Sequence, residues 1–413
     1  MTVFGIIWIT IVGYCFIQKD IKYMAFITLF FMTFQCVNVI NFGAFVVGPQ
    51  ILTSLLFIVK SLIYKGFVIK LDKNNIFENI LWVVLLGVVV YSSIYNGVLE
   101  TNWLRVLQLF IYIFAFKYFA LIKDDLSFDF IYNSIRSINI FLIIIGVLQV
   151  LTTMNILPLR SILEIFVYND FGSDVIFHKW ASYSRIMSTF MEPSYYAGIL
   201  VGSFYYLLSF TNKWKENALL LIMIFVFMLL TFSSTAYVAF VIIGGVFMLF
   251  QKNIPIQWKV LGILISVFGF LFMYFGFYDL LDAVIFSKAE TGSGVTRQRW
   301  NNEAWSAFLS SSLIGIGYKN TRGSSLFYSL LGQIGLVGSI SFALIMLKYF
   351  VNMIKSKMSN LGLEKYKNET ASTIALFSIF VCQLVAVPDL DLCTFWFWMY
   401  AFGMIINKKI IDR

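Results

Sequence analysis

Apolar residues run through the chain in blocks of roughly 20, the length an α-helix needs to cross the hydrocarbon core of a bilayer. The blocks fall at 2–18, 22–40, 50–66, 79–95, 103–121, 136–152, 193–211, 217–231, 234–250, 259–277, 326–350, 371–387 and 392–407. Within each block the apolar run is continuous, not alternating, which excludes the pattern of a membrane β-barrel. The pattern predicts an all-α polytopic membrane protein of about 13 transmembrane helices, built as one integral membrane unit over residues 1–413. Two connections are long, 153–192 and 278–325. The first apolar block has no basic leader and no small-residue cleavage site, so it reads as a retained span and not as a cleaved signal.

Basic residues give the spans a direction. Lysine clusters occupy alternate connections, among them Lys60, Lys65, Lys70 and Lys73, then Lys213 and Lys215, then Lys355, Lys357, Lys365 and Lys367. The intervening short connections at 41–49, 96–102, 232–235 and 388–391 contain no Lys or Arg. By the positive-inside rule this places the N-terminus outside, the C-terminus in the cytoplasm and both long loops on the outer face of the membrane. On that topology nineteen of the twenty-two lysines face inward, whereas six of the eight arginines face outward: Arg105, Arg160, Arg185, Arg297, Arg299 and Arg322. Lysines pin topology. Arginine is suited to phosphate because its planar, permanently charged fork meets two oxygens at once.

Composition narrows the classes further. The chain is 60% hydrophobic and 12% charged, with net charge +9. In a membrane protein that surplus is expected to meet anionic headgroups rather than nucleic acid. The four cysteines lack CxxC spacing and suggest neither a metal site nor a disulfide framework. No nucleotide-binding GxxxxGK[ST] motif is present, and no acid stands out in mid-span as a proton relay would require.

The long loops carry the candidate chemistry. In the first, 158–167 has the apolar spacing of a helix lying in the interface, and Arg185 precedes Glu192 and Pro193. Proline suits the first position of a helix, so Glu192 is expected to cap span seven, either as a structural cap or as an ionised base. His178, the only histidine, is a candidate proton carrier or substrate contact. In the second loop, 296–310 has helical spacing, and Arg299 and Glu303 are placed to pair four residues apart. Gly315 and Gly317, followed by Tyr318, Lys319 and Arg322, are arranged to bring backbone N–H groups and two cations onto an anion. Gly332, Gly335 and Gly338 are expected to serve close helix packing. Asp389 and Asp391, in the connection before the last span, and Asp282 and Glu290, in the second loop, rank below Glu192 as a base because no arginine is adjacent in sequence. Tyr183, Tyr195, Tyr196 and Tyr318 are suited to stacking sugars or to an interfacial belt.

These stretches resemble the bacterial O-antigen polymerase and O-antigen ligase group of membrane glycosyltransferases. The resemblance is carried by RIMSTFMEPSYYAG at 185–198, FSSTAY at 232–237, TRQRWNNEAWSAFLSSSLIGIGYKN at 296–320 and LGQIGLVG at 331–338. It spans about residues 180–340 and implies a GT-C-like membrane fold with two large outer loops. It also implies a metal-independent, cofactor-free reaction on undecaprenyl-pyrophosphate-linked oligosaccharide, with loop arginines on the pyrophosphate. Carried over by position, Arg185 matches the first-loop arginine, and Arg297 or Arg299 that of the second. Glu192, Arg185 and Arg299 are then the expected catalytic group, and Arg297, Arg322, Lys319, Tyr318, Tyr195 and His178 the expected substrate contacts. Ligases carry a histidine before the glycine-rich span, and Ser324 or Ser325 stands there instead. The resemblance thus implies a repeat-unit polymerase for O-antigen or capsule, with a partner protein setting chain length. A ligase onto lipid A core and a lipid-linked oligosaccharide flippase are the alternatives. A flippase predicts short loops and an internal repeat, neither of which the sequence shows.

Overall fold

The computed structural model describes residues 2–42, 45–66, 75–167, 179–180, 183–250, 257, 292–358 and 363–406. His178, the block at 259–277, the start of the second long loop up to 291 and the basic tail from 407 lie outside the described residues. Fourteen α-helices are described: α1 (Val3–Ile17), α2 (Ile21–Phe31), α3 (Pro49–Lys65), α4 (Ile76–Tyr95), α5 (Leu99–Ile122), α6 (Phe128–Thr153) and α7 (Arg160–Phe166). They continue with α8 (Pro193–Leu208), α9 (Trp214–Leu230), α10 (Ser234–Phe250), α11 (Gly292–Ser310), α12 (Leu326–Met358), α13 (Leu363–Ala386) and α14 (Cys393–Gly403). Five of the described helices are long and apolar enough to cross a membrane, and several shorter apolar helices accompany them.

Local sequence sets the boundaries. Thr2, Asp20 and Ser127 cap α1, α2 and α6 by accepting backbone N–H bonds from Gly5, Lys22 and Phe130, which satisfies otherwise orphaned donors. Pro49 and Pro193 open α3 and α8, where a missing N–H costs nothing. The block at 22–40 departs from its reading as one span: α2 ends at Phe31, and the chain then turns into a two-stranded ribbon, β1 (Ile40–Phe42) with β2 (Phe45–Val47). Asn38, Asn41, Gly43 and Gly48 lie in this stretch and weaken the helix there.

The centre of the bundle is α14. Every side chain from Phe395 to Ala401 is fully buried, as a helix apolar on all faces requires. It packs against α13, α5, α2 and α8. Trp396 lies 6.2 Å from Trp82 and 5.7 Å from Tyr112, Tyr400 lies 4.8 Å from Phe119, and Trp398 lies 5.8 Å from Tyr206. Small residues allow α8 to approach α13: a methyl on Gly198 would meet Ile379 at 2.6 Å, and one on Gly202 would meet Ser378 at 2.7 Å.

A break in α12 shapes one end of the molecule. Gly335 has φ 59° and ψ −163° inside the helical run. The chain after α11 lies across the break, with Leu336 N donating to Ser312 O (2.8 Å), Val337 N to Leu313 O (3.1 Å) and Ile316 N to Gly332 O (3.0 Å). The approach is backbone to backbone, since a Cβ on Gly335 would stand 2.4 Å from the Leu313 carbonyl carbon. Of the three spaced glycines, Gly332 faces Ala304 of α11 and Gly335 makes the break, while a Cβ on Gly338 would meet only Ile334 of the same helix.

Candidate functional site

Residues 185–192 are held from several sides before they reach α8. Arg185 Nε donates to Thr231 O (3.0 Å), and Ile186 N donates to Leu230 O (3.2 Å). Met187 and Ser188 donate their N–H groups to Gln149 Oε1 (both 3.0 Å), and Thr189 Oγ1 donates to Thr33 O (2.6 Å). The segment is thereby fixed to the ends of α2, α6 and α9. Arg185 is half-buried. Burial pushes the pKa of its guanidinium down, Glu192 and Tyr237 draw it back up, and the nearby Arg297 lowers it again. The group stays protonated, as arginine does in proteins. Arg185 from the first long connection and Arg297 from the second therefore share one electrostatic neighbourhood with Glu192.

Glu192 occupies the cap position of α8 but makes no capping bond. Its Oε2 instead accepts from Ser194 Oγ (3.1 Å), and the residue is exposed. One step further, the buried Tyr195 lies within electrostatic reach of Glu192, Asp389 and Arg322. This links the Arg185 end of the site to a second charge cluster.

Lys319 is the centre of that second cluster. Its Nζ donates to Asp389 Oδ1 at 2.5 Å and lies 2.7 Å from Asp391 Oδ1. Arg105 Nη1 stands 3.9 Å from Asp391 Oδ2. Burial alone would lower the Lys319 pKa, but Asp391 and Asp389 outweigh it and hold the value above the ordinary range. Burial likewise works to raise the Asp389 pKa, and Lys319, Arg322 and Arg105 overcome it and leave it below the ordinary value. The backbone around Lys319 is pinned to two other helices, with Tyr318 N donating to Ser93 Oγ (3.1 Å) and Asn102 Nδ2 donating to Tyr318 O (3.1 Å). Lys319 itself sits at φ 63°, a conformation that only a constrained non-glycine residue keeps.

Several expectations change on this geometry. The Gly315–Gly317 turn does not direct its amides at an anion: Gly315 N bonds Ser311 O, Ile316 N bonds Gly332 O and Gly317 N bonds Gln333 O. Those donors are consumed in holding the turn against the broken helix. Tyr318 is fully buried, and its hydroxyl stands beside Asp391 without completing a hydrogen bond, so its ring offers no face to a ligand. Tyr195 is also buried. Arg299 is exposed and paired with Glu303 (Nε to Oε1, 3.4 Å). Arg322 is exposed and lies over Trp300, its Cζ 4.9 Å from the ring centroid.

Asp389, Asp391 and Arg105 are the residues sequence reasoning undervalued. Their partner Lys319 is 70 positions from Asp389, and nothing local marks the pairing. The available signal was the PDLD run itself, two acids in a short connection of an otherwise apolar region. No cluster of metal-ligating residues occurs among the described residues. No protein-family model matches the chain, and no curated protein matches it in sequence.

Proposed function

We propose that the chain is a membrane glycosyltransferase that polymerises polysaccharide repeat units on the outer face of a bacterial inner membrane. The observation that carries this reading is that Arg185, from the first long connection, lies within electrostatic reach of both Glu192 and Arg297, the latter from the second long connection. At that end two guanidiniums, Arg185 and Arg297, stand against one carboxylate, Glu192, whereas Lys319 and Arg105 are already engaged by Asp389 and Asp391. The surplus suits a diphosphate diester, whose charge is about −2.

In the reaction, a hydroxyl of the incoming repeat unit attacks the anomeric carbon of the growing glycan. The new glycosidic C–O bond forms as the C–O bond to pyrophosphate breaks, and polyprenyl pyrophosphate leaves with the electron pair. Arg185 and Arg297 stabilise the charge gathering on that leaving group, which is electrostatic preorganisation at the developing anion. Glu192, at the N-terminal end of α8, takes the hydroxyl proton. The arginine-rich outer loops, the apolar helices and the sequence resemblance support this reading.

The test is extension of purified lipid-linked repeat units by the purified protein alone. A ladder of longer glycans is expected. Arg185→Ala and Arg297→Glu are each expected to slow it by roughly 10²–10³, the cost of removing one charge-stabilising donor. In cells, the variants are expected to lose long chains while one-unit chains persist on a gel. Loss of every attached chain would instead favour a ligase or a flippase.

A further inference from the structure

The two aspartates beside Lys319 are not equivalent. Asp391 is closed: its side chain is 4% exposed, Oδ1 faces Lys319, Oδ2 faces Arg105, and its backbone carbonyl accepts from Gln108 (3.3 Å). Asp389 is open: its side chain is 22% exposed, Oδ1 is bound to Lys319, and Oδ2 has no hydrogen-bond donor among the described residues. The Asp389 carbonyl is fixed by Gln383 Nε2 (2.8 Å). Gln383 Oε1, a buried atom next to this pair, also lacks a hydrogen-bond partner, whereas the Tyr318 hydroxyl stands against Asp391. This part of the site therefore has acceptor capacity that the described residues do not use.

Its chemistry does not suit the diphosphate. Lys319 is already engaged by two carboxylates, and an open carboxylate oxygen repels phosphate. A carboxylate held ionised by a buried lysine is a weak base but a strong acceptor for neutral O–H donors. Arg322 over Trp300 adds a flat, partly exposed surface in electrostatic reach of the same carboxylate. The geometry points to Asp389 Oδ2 as the binding group for the hydroxyls of the acceptor saccharide, with Lys319 and Asp391 as the positioning pair behind it. The donor pyrophosphate then occupies the Arg185–Arg297 end, and Tyr195 lies between the two subsites. This assignment rests on the glycosyltransferase reading and divides that site into donor and acceptor halves.

The experiment uses a repeat-unit saccharide on a soluble aglycone, which lacks pyrophosphate and can act only as an acceptor. Its binding to the purified protein is measured by saturation-transfer NMR, and its extension is measured with lipid-linked repeat units as donor. Asp389→Asn is expected to weaken saccharide binding and raise the acceptor KM by at least about tenfold, the scale of a hydrogen bond to a charged group. The donor KM is expected to change less than about twofold, whereas Glu192→Gln acts on kcat. An Asp389→Asn protein that keeps its acceptor KM, or that loses donor affinity instead, overturns the assignment. If the wild type binds the saccharide through Asp389 yet extends nothing, the subsite stands and the polymerase reading falls. If the wild type extends chains but Asp389→Asn leaves saccharide binding intact, the reverse holds.

Discussion

Lys319 satisfies two carboxylates from a strained backbone position, and the strain is tolerated because its neighbours over-determine it. Removing Asp391 leaves Lys319 with Asp389 as its one remaining carboxylate. Asp391→Asn is therefore expected to cost about 1–3 kcal/mol, visible as a lower midpoint in thermal unfolding of the detergent-solubilised protein. The pH dependence follows from the two shifts. The Asp389 pKa is depressed from its ordinary 3.8, so its contribution is complete above that value and is lost as pH falls through the lower folded value. The Lys319 pKa is raised from 10.5, so its contribution is complete below that value and is lost as pH rises through the higher folded one. The protection of the 318–323 amides against hydrogen exchange, relative to the intrinsic rate at each pH, is expected to hold between about pH 4 and 10 and to fall only outside that window. A transition near neutral pH would contradict the pairing. Glu192 could be read from its proline and helix start, but the Lys319 pairing could not, because its partners come from a connection far along the chain.

Among the elements, the hydropathic runs recovered most of what long apolar helices determine: α4, α5, α6 and α10 lie close to the predicted blocks. Such runs carry no information on backbone direction, so the break in α12 was invisible within a single hydropathic block. It is set by the positive φ at Gly335 and by the chain segment at 312–316 lying against it. Gly335→Ala must place a Cβ against the Leu313 backbone at an unfavourable φ. It is expected to destabilise the protein by more than about 3 kcal/mol. Gly245 in α10 has open space around its Cβ position, and Gly245→Ala is expected to be neutral or to stabilise by about 0.5–1 kcal/mol. Comparing the two melting curves separates glycine needed for geometry from glycine that is merely present. The glutamate that ends the first loop and the second loop's arginines were legible for a different reason: charge is conspicuous in a background this apolar.

Across the whole molecule, the same three helices are tied by polar contacts at both ends. At one end Ser93 of α4 and Asn102 of α5 hold the Lys319 turn that leads into α12, and Arg105 of α5 faces Asp391, the partner of Lys319. At the other, Glu78 of α4 meets Lys117 of α5 at 2.7 Å and Lys348 of α12 at 3.0 Å, and accepts from Tyr349 at 3.0 Å. Glu78→Gln leaves two lysines facing each other in a largely buried setting and is expected to cost about 3–5 kcal/mol. Adding Lys348→Met to Glu78→Gln is expected to recover part of that loss, a coupling that a double-mutant cycle of melting free energies measures directly. Additive losses would show that the three side chains do not act as a unit.

The fully enclosed α14 follows every other described helix in the chain, and this affects synthesis. A ribosome delivers the periphery first, so the surrounding helices must wait in the bilayer around an unfilled middle until the stretch Cys393–Gly403 emerges. Closure of the middle then waits for that stretch. A nascent chain arrested before position 393 is expected to be membrane-inserted yet open to protease, and release of the final segment is expected to convert it to a resistant form in one step.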